Sequence, residues 1–302
     1  MPRNDDDFDD DRPRRRPRDD DDDRSARRPR DEDDENVPRK KKGNGLVIGI
    51  LVGVLVVCCG GGGTAAFFIY RGLKKTVEQI GTAVEGFGEA EQSRQNLTQI
   101  GSAAQRCERA TGAFPNNSYE VGAKQGRALL SWRVHLLPHL GEDALYKQFK
   151  LDEPWDGPNN IKLVGQMPAV YGSPGAQKKA GAGKTFYRGF SAPAGMFEKP
   201  SAPGAQTPKI KVTDIPDGTS NTILVVDAGD AVEWTKPDDL DFSPGRPRPN
   251  LGGAYPNVPF VMVLMADGTV HQLVREVPDD TLRKLIDRKD GLVIPPGWEA
   301  GR

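Results

Sequence analysis

The chain has 302 residues and a formal net charge of −1, which allows one or two domains and argues against a nucleic-acid-binding protein as a whole. Only 36% of the residues are hydrophobic, and Gly and Pro together make up about a fifth of the chain, so part of the length is not core. Its three cysteines exclude a disulfide-rich scaffold.

Residues 1–42 form a segment of alternating acidic and basic runs. Only Phe8 and Val37 are large apolar residues there, so the segment cannot bury enough surface to offset its chain entropy. The composition predicts a disordered tail. It is either a solvated extension or a weak electrostatic tether to anionic headgroups or a charged partner.

Residues 45–70 are predicted to form a transmembrane helix. The run Leu46–Tyr70 contains 25 residues without a charge, and at about 1.5 Å per residue it spans a bilayer core of about 30 Å with some tilt. Four basic residues, Arg39–Lys42, precede the run, against three close behind it in Arg71–Lys75. This bias predicts a cytoplasmic N-terminus, a cell (inner) membrane location and an extracytoplasmic C-terminal domain.

Small residues recur within this predicted span. Gly45, Gly49 and Gly53 repeat every four residues, a spacing that lets two membrane helices approach closely and self-associate. Cys58 and Cys59 lie near the middle of the span and suit inert apolar thiols.

A helical pattern covers residues 71–111. Apolar residues recur at intervals of three and four within Val77–Phe87 and again within Leu97–Ala104. Glycines weaken the middle, so the pattern predicts one helix or a broken pair, with 71–91 as a helical linker to the span. Gly112 is expected to end it.

Residues 92–297 are predicted to form one extracytoplasmic domain in which short helices precede β segments. Helical segments are expected at 142–149, at 159–166 and from Pro278. The predicted strands are Ala169–Tyr171, Thr185–Phe190, Thr222–Val226, Phe260–Met265 and Thr269–Val274. Asp267-Gly268 is a strong hairpin signal between the last two strands. Helices first and antiparallel strands later indicate an α+β fold rather than a doubly wound sheet.

Several motifs, in order, resemble those of one family. They are Asn96–Gly101, Gly112–Pro115, Leu130–Val134, Leu145–Phe149, Leu151–Asp156, Asp217–Ile223, Trp234–Pro237 and Ala266–Val270. Together they resemble the DUF1559 family, planctomycete proteins with a pilin- or pseudopilin-like start and an unestablished biochemical role. The resemblance implies a single-pass protein with a pilin-like antiparallel sheet domain that faces the surface or the periplasm.

The chain departs from that family at three places. Relatives carry a prepilin signal with Glu at the fifth position, whereas Ile48 or Ile50 stands there, counted from Gly43 or Gly45. We therefore expect an uncleaved anchor rather than a filament subunit. Ala254 replaces a His that many relatives carry, and Ser173 a frequent Cys, so a metal, proton or disulfide role at those positions is not expected.

Three histidines offer little chemistry. His135 and His139 have the i, i+4 spacing of two metal ligands on one helix face, but Pro138 lies between them and no third ligand is near in the sequence. Surface or half-buried histidines are the alternative. His271 follows the hairpin turn and reads as a strand residue.

A cluster of acidic residues and one serine complete the candidates. Asp227, Asp230 and Glu233, beside Trp234, could hold Ca²⁺ or contact a sugar, or could form a solvated loop. Ser220 lies in a turn motif that lacks the Gly-x-Ser-x-Gly pattern of an exposed nucleophile. We assign no catalytic, cofactor or metal site from the sequence.

The sequence therefore predicts a structural or interaction protein of the cell envelope that is not an enzyme. Its partners are the lipid bilayer and envelope proteins, and no nucleic acid is expected. Two alternatives stay open: a pseudopilin-like component of a secretion or filament system, and an envelope carbohydrate-binding protein or hydrolase.

Overall fold

The computed structural model of the protein describes residues 63–122, 126–172 and 174–301. The predicted tail 1–42, residues 45–62 of the predicted span and Ser173 lie outside these residues, as do the paired cysteines and the three spaced glycines of the span. No helix in the described part of the chain is both long enough and apolar enough to cross a membrane.

The first described element is a helix of 49 residues, α1, Gly63–Thr111. It is continuous through the glycines that predicted a possible break, so the pattern at 71–111 forms one helix. Gly112 ends it as predicted: its φ is +75°, and its N–H donates to the carbonyl oxygen of Glu108 at 2.7 Å.

Five short helices follow. They are α2 Trp132–His135, α3 Leu137–Leu140, α4 Asp143–Tyr146, α5 Pro174–Ala180 and α6 Asp279–Ile286. Single 3₁₀ segments occupy Asn160–Gln166, Ala169–Tyr171 and Val212–Asp214. The strand predicted at Ala169–Tyr171 is wrong, because its backbone bonds locally: the Tyr171 N–H donates to the carbonyl oxygen of Pro168 at 3.0 Å.

The four strands found in the described residues form one antiparallel sheet in the order β1-β2-β3-β4, which confirms the α+β class. They are β1 Lys184–Arg188, β2 Ile223–Glu233, β3 Phe260–Met265 and β4 Val270–Val274. The Asp267-Gly268 turn joins β3 to β4 as predicted, and Gly268 has a φ of +91° that only glycine adopts without strain.

The sheet lies between two helices. Residues of β3 alternate between the two faces, so Phe260, Met262 and Leu264 belong to the core cluster that contains Leu97 and Ile100 of α1. The other face packs against α6 and holds the residues Val261, Val263, Met265, Leu282, Leu285 and Ile286.

Gly101 allows α1 to approach the sheet. A Cβ at this position would lie 2.7 Å from Leu264 Cδ1 and 3.0 Å from the carbonyl oxygen of Gly268. Gln105, one turn on, donates through its side chain to the carbonyl oxygen of Ala266. The C-terminal half of α1 is therefore fixed to the turn side of β3.

The Leu130–Val134 motif builds a buried polar centre. The Arg133 side chain is fully buried; its Nε and Nη2 donate to the carbonyl oxygen of Tyr187 at 2.8 and 2.5 Å, and its Nη1 donates to Ser131 Oγ at 2.6 Å. Asp239 lies 3.8 Å from the guanidinium and accepts from the Gly189 N–H at 2.8 Å. This motif has a structural role, because no atom of the ion pair reaches solvent.

Strand β2 is longer than predicted and bulges. It pairs Asp227 with Tyr187 and Val232 with Thr185, so four residues of β2 stand opposite a single residue of β1. The bulged part bonds instead to the loop before β3, where the Gly229 N–H donates to the carbonyl oxygen of Asn250 at 2.6 Å. The predicted Thr222–Val226 strand thus continues through a stretch expected to be loop.

Candidate functional site: a cleft beside the β2 bulge

A cleft of about 540 Å³ opens where the β2 bulge meets the loop before β3. It is the candidate site because it combines room for a ligand with two guanidinium groups. Its lining residues are Gly229, Arg248, Pro249, Asn250, Leu251, Gly252, Gly253, Pro256, Arg275 and Glu276.

Glycines let the loop close onto the bulge. A Cβ on Gly229 would lie 2.8 Å from the carbonyl carbon of Asn250, and a Cβ on Gly253 would overlap with the carbonyl oxygen of Gly229. Gly252 has a φ of +71°, and a Cβ there would lie 2.7 Å from both terminal nitrogens of Arg275. Larger residues at these positions would push the loop away and reshape the cleft.

The side chain of Arg275 holds the loop in place by bonding to backbone carbonyl groups of the loop. Its guanidinium donates to the carbonyl oxygens of Leu251 at 2.6 Å, Val258 at 3.1 Å and Tyr255 at 3.2 Å. Carbonyl groups carry no net charge, so these bonds position the guanidinium without neutralising it.

Arg248 lies beside Arg275 and donates a hydrogen bond to its backbone carbonyl group. Its Nη2 donates to the carbonyl oxygen of Arg275 at 2.9 Å, and its Nη1 lies 3.0 Å from Asp279 Oδ1. Arg248 therefore has a carboxylate partner, whereas the guanidinium of Arg275 donates to carbonyl oxygens. Two carboxylates, Glu276 in the lining and Asp279 on Arg248, lie beside the two guanidinium groups, so the cleft favours a polar or acidic group through hydrogen-bond donors rather than through a net positive charge.

Directly behind the cleft lies a buried hydrogen-bond cluster. Asp227, on β2, accepts from Ser93 Oγ at 2.5 Å and from the Tyr255 hydroxyl at the same Oδ2 atom. The Tyr255 oxygen accepts in turn from the Met262 N–H at 2.9 Å. Burial raises the pKa of Asp227 to about 6, while the bonds from Ser93 and Tyr255 oppose that rise.

The lining of the cleft offers groups that can bind a polar ligand. Its described lining includes a single carboxylate, Glu276, and no histidine, cysteine or serine. A general acid–base pair or an activated nucleophile needs two such groups within hydrogen-bond reach. Recognition of a ligand by guanidinium and amide groups is what this arrangement can do.

The three acidic residues weighed as a candidate site do not come together. Asp227 is 1% exposed behind the cleft and Asp230 is exposed, whereas Glu233 lies 3.7 Å from Lys184 across the sheet. Trp234 is fully buried, stacks on Tyr171 and is not available to a sugar. The residues alternate along a bulged strand, so they lie neither in a solvated loop nor around one ion.

The histidine pair is split between two elements. His135 ends α2 and His139 lies in α3, and Leu136 separates the two helices. Burial lowers the pKa of His135 to about 4, and its Nε2 lies 3.0 Å from Ser118 Oγ. Among the described residues, no group of three or more His, Cys, Asp or Glu is arranged to hold a metal ion.

The other candidate residues occupy structural positions. His271 lies on β4 as predicted, with its Nδ1 2.6 Å from Glu299 Oε1. Ser220 is exposed in the turn before β2, where the Asn221 side chain donates to the carbonyl oxygen of Asp217 at 2.8 Å. Ala254 is 3% exposed.

Sequence reasoning missed the two arginines and the loop that holds them. Arg248 and Arg275 lie 27 residues apart, and neither belongs to a recognisable motif. The Gly252-Gly253 pair was a usable signal, because adjacent glycines beside strand residues often mark close backbone approach.

Comparison with known protein families gives one match, which covers the region of the motifs and of this loop. The family model described as "Protein of unknown function (DUF1559)" matches residues 90–255, more than half of the chain. The chain therefore belongs to the DUF1559 family, as the motifs predicted. The matched region contains the bulge and most of the cleft loop, whereas β3, β4 and α6 follow it. No curated protein and no solved structure matched the chain.

Proposed function

We propose that this protein is a membrane-anchored interaction protein of the cell envelope, with a cytoplasmic tail and an extracytoplasmic, pilin-like domain. The observation that carries the proposal is the uncharged run Leu46–Tyr70, which leads into the helix α1. A run of this length suits a bilayer span, and the basic residues before it favour a cytoplasmic tail.

The pilin-like part of the proposal rests on one packing relationship. The C-terminal half of a long N-terminal helix lies on one face of an antiparallel sheet, with Leu97 and Ile100 fully buried there. In this arrangement the helix carries the domain, and the loops at the far edge of the sheet are free for contact. The missing glutamate at the fifth span position, where Ile48 or Ile50 stands, favours an anchor over a filament subunit.

The cleft beside the β2 bulge is the proposed contact site on the domain. It places the guanidinium of Arg275 and the side chain of Asn250 at one wall. Tethering by the helix would hold this cleft at the outer face of the membrane, where an acidic group on an envelope partner can enter it.

Cell fractionation with intact-mass measurement tests the anchor. We expect full-length protein in the membrane fraction, with the domain digested only by protease added from outside. Loss of roughly the first 43 to 66 residues from the membrane-bound mass would mean processing and would move the pseudopilin-like alternative ahead. Full-length protein in the soluble fraction would overturn the proposal.

The guanidinium groups of the cleft also favour one alternative, an envelope protein that binds an acidic carbohydrate. Titration of the full chain with acidic and neutral glycans at low and high salt tests it. We expect binding of the acidic glycan alone, weakened by salt and by Arg248→Ala. The control is Arg246→Ala, which removes an equal charge from an arginine nearby in the chain that is 66% exposed at its side chain. Equal binding of both glycans, or equal loss in both variants, contradicts this alternative.

A further inference from the structure

The N-terminal part of α1 carries a line of exposed apolar side chains, here called the α1 stripe. Each member is between 38% and 65% exposed. The members are Tyr70, Leu73, Val77, Ile80, Val84 and Phe87. Tyr70 is the last residue of the predicted span, and contiguous apolar surface that continues beyond a span marks a contact site.

The spacing of the stripe identifies the kind of contact. From Tyr70 to Phe87 the intervals alternate strictly between three and four residues, which is the a/d pattern of a heptad repeat. Such a pattern repeats every 3.5 residues, so it stays on one side of a helix that runs along another helix. Contact with a flat apolar surface would not require a repeat of 3.5 residues.

The domain of the same chain lies on the opposite side of α1. Thr82, Glu85 and Gly86 face it and line a cavity together with Tyr255 and Asn257. The stripe is half a turn away from these residues, because successive helical positions differ by about 100°.

The end of the stripe at Phe87 touches the described domain. The Phe87 ring lies 5.9 Å from that of Phe260. Beyond Phe87 the same side of the helix becomes polar, with exposed Glu91, Arg94 and Gln95. The apolar surface therefore ends where α1 begins to pack on the sheet, so the stripe serves a second neighbour.

We propose that this neighbour is a second copy of the chain, in a parallel, in-register helix pair with the α1 stripe as its seam. In such a pair the flanking e and g positions face each other. Thr76, Gly81, Ala83 and Gly88 stand there, all small and uncharged, so no like charges meet along this part of the seam. Lys74 is the charged flanking residue, at the end nearest the predicted span.

The size of the stripe suits a pair that needs tethering. At roughly 100 Å² for each exposed side chain, six residues offer about 600 Å² per copy, and a symmetric pair buries about 1,200 Å², the lower limit of specific interfaces. Confinement to one membrane raises the effective concentration and aligns both helices in parallel. The parallel orientation thus rests on the membrane anchor proposed above.

Disulfide cross-linking of the full chain in its own membranes tests the seam. The background carries Cys58→Ala and Cys59→Ala and keeps the buried Cys107. Leu73→Cys and Val84→Cys place thiols on the stripe, whereas Glu78→Cys and Thr82→Cys place them on the opposite side. Under mild oxidation we expect roughly fivefold or more disulfide dimer at the stripe positions, because a and d residues of parallel helices meet their own counterparts.

The other outcomes of the cross-linking experiment separate the seam from the membrane anchor. Equal cross-linking at all four positions, or none at Leu73 and Val84 in membrane-bound protein, overturns the seam while leaving the anchor standing. Dimers that form only when the Leu73→Cys and Val84→Cys chains are expressed together mean an antiparallel pair and overturn the proposal. Strong stripe cross-links in soluble protein would keep the seam and overturn the anchor.

Discussion

The Ser93 hydroxyl on α1 donates a hydrogen bond of 2.5 Å to the Asp227 carboxylate on β2. The two residues are 134 positions apart in the chain, and both are buried. The same carboxylate oxygen accepts from Tyr255, which begins the turn after the cleft loop. This one oxygen therefore joins the long helix, the sheet and the wall of the candidate site.

Titration of Asp227 should make stability depend on pH. Burial raises its pKa to about 6 in the folded protein, above the value of about 4 for an unfolded aspartate, so the folded state binds the extra proton between those values. The contribution of Asp227 to the free energy of unfolding should fall as the pH rises through this window, by up to about 3 kcal/mol. His135, whose pKa burial lowers to about 4, should contribute a rise of comparable size over the same range, because its unfolded state binds the extra proton. Urea unfolding of the full chain at pH 4, 5, 6 and 7 measures the net dependence.

The variant Asp227→Asn removes the contribution of Asp227, so its free energy of unfolding should rise more steeply with pH than that of the wild type. Asp230→Asn is the matched control, because that residue is exposed on the same strand, and it should keep the wild-type profile. An unchanged slope in Asp227→Asn would show that another group causes the pH dependence.

Gly101→Ala should destabilise the protein although alanine favours helices. The added Cβ would lie 2.7 Å from Leu264 Cδ1 and close to the backbone of Gly268, so α1 must move away from the sheet at a cost of about 1–3 kcal/mol. Gly88→Ala is the control, since nothing lies within 4 Å of its Cβ position, and it should be neutral or stabilising by up to about 1 kcal/mol. Thermal unfolding compares the two; equal effects would contradict the close approach.

Arg133→Met should cost about 3–5 kcal/mol of unfolding free energy, because it leaves the buried Asp239 carboxylate without its cation. Arg133→Lys should recover little of this, since one ammonium group cannot reproduce the bonds to the Tyr187 carbonyl oxygen and Ser131 Oγ. Chemical denaturation provides the values. Arg127→Met, which breaks an exposed pair with Asp156, is expected to cost less than about 1 kcal/mol.

Arg275→Gln should loosen the cleft loop without unfolding the sheet. The variant loses most of the bonds to the carbonyl oxygens of Leu251, Tyr255 and Val258. We expect hydrogen exchange at Asn250–Gly253 to rise at least about tenfold, with β3 protected as before. Exchange that rises equally in β3 would show that Arg275 supports the whole sheet, and exchange that stays unchanged would show that the loop does not depend on it.

Local patterns were sufficient for much of the fold. The apolar run Phe260–Met265 and the Asp267-Gly268 turn predicted the hairpin, and a helix was predicted from Pro278. These signals are readable because hydrogen bonds within a helix or a hairpin join residues close in the chain. The family likewise followed from short motifs such as Leu130–Val134.

The candidate site was hidden because its parts meet across long stretches of chain. Asp227 looked like one member of a loop cluster with Asp230 and Glu233, yet the bulge of β2 separates the three. Arg275 is drawn to the cleft loop by carbonyl groups, which every residue possesses and no sequence pattern marks. The α1 stripe was visible as helical spacing, but only the position of the domain showed which side of the helix is left uncovered.

The sequence by itself determined the class, the family and the chemical character of each segment, from the charged tail to the uncharged run Leu46–Tyr70. Periodicity and composition act over a few residues, so a single chain carries them in readable form. Only the tertiary structure decided which polar groups are buried together, as with Ser93 and Asp227, and which apolar residues stay in solvent. Those outcomes depend on packing between distant segments, where burial and close approach set the energies.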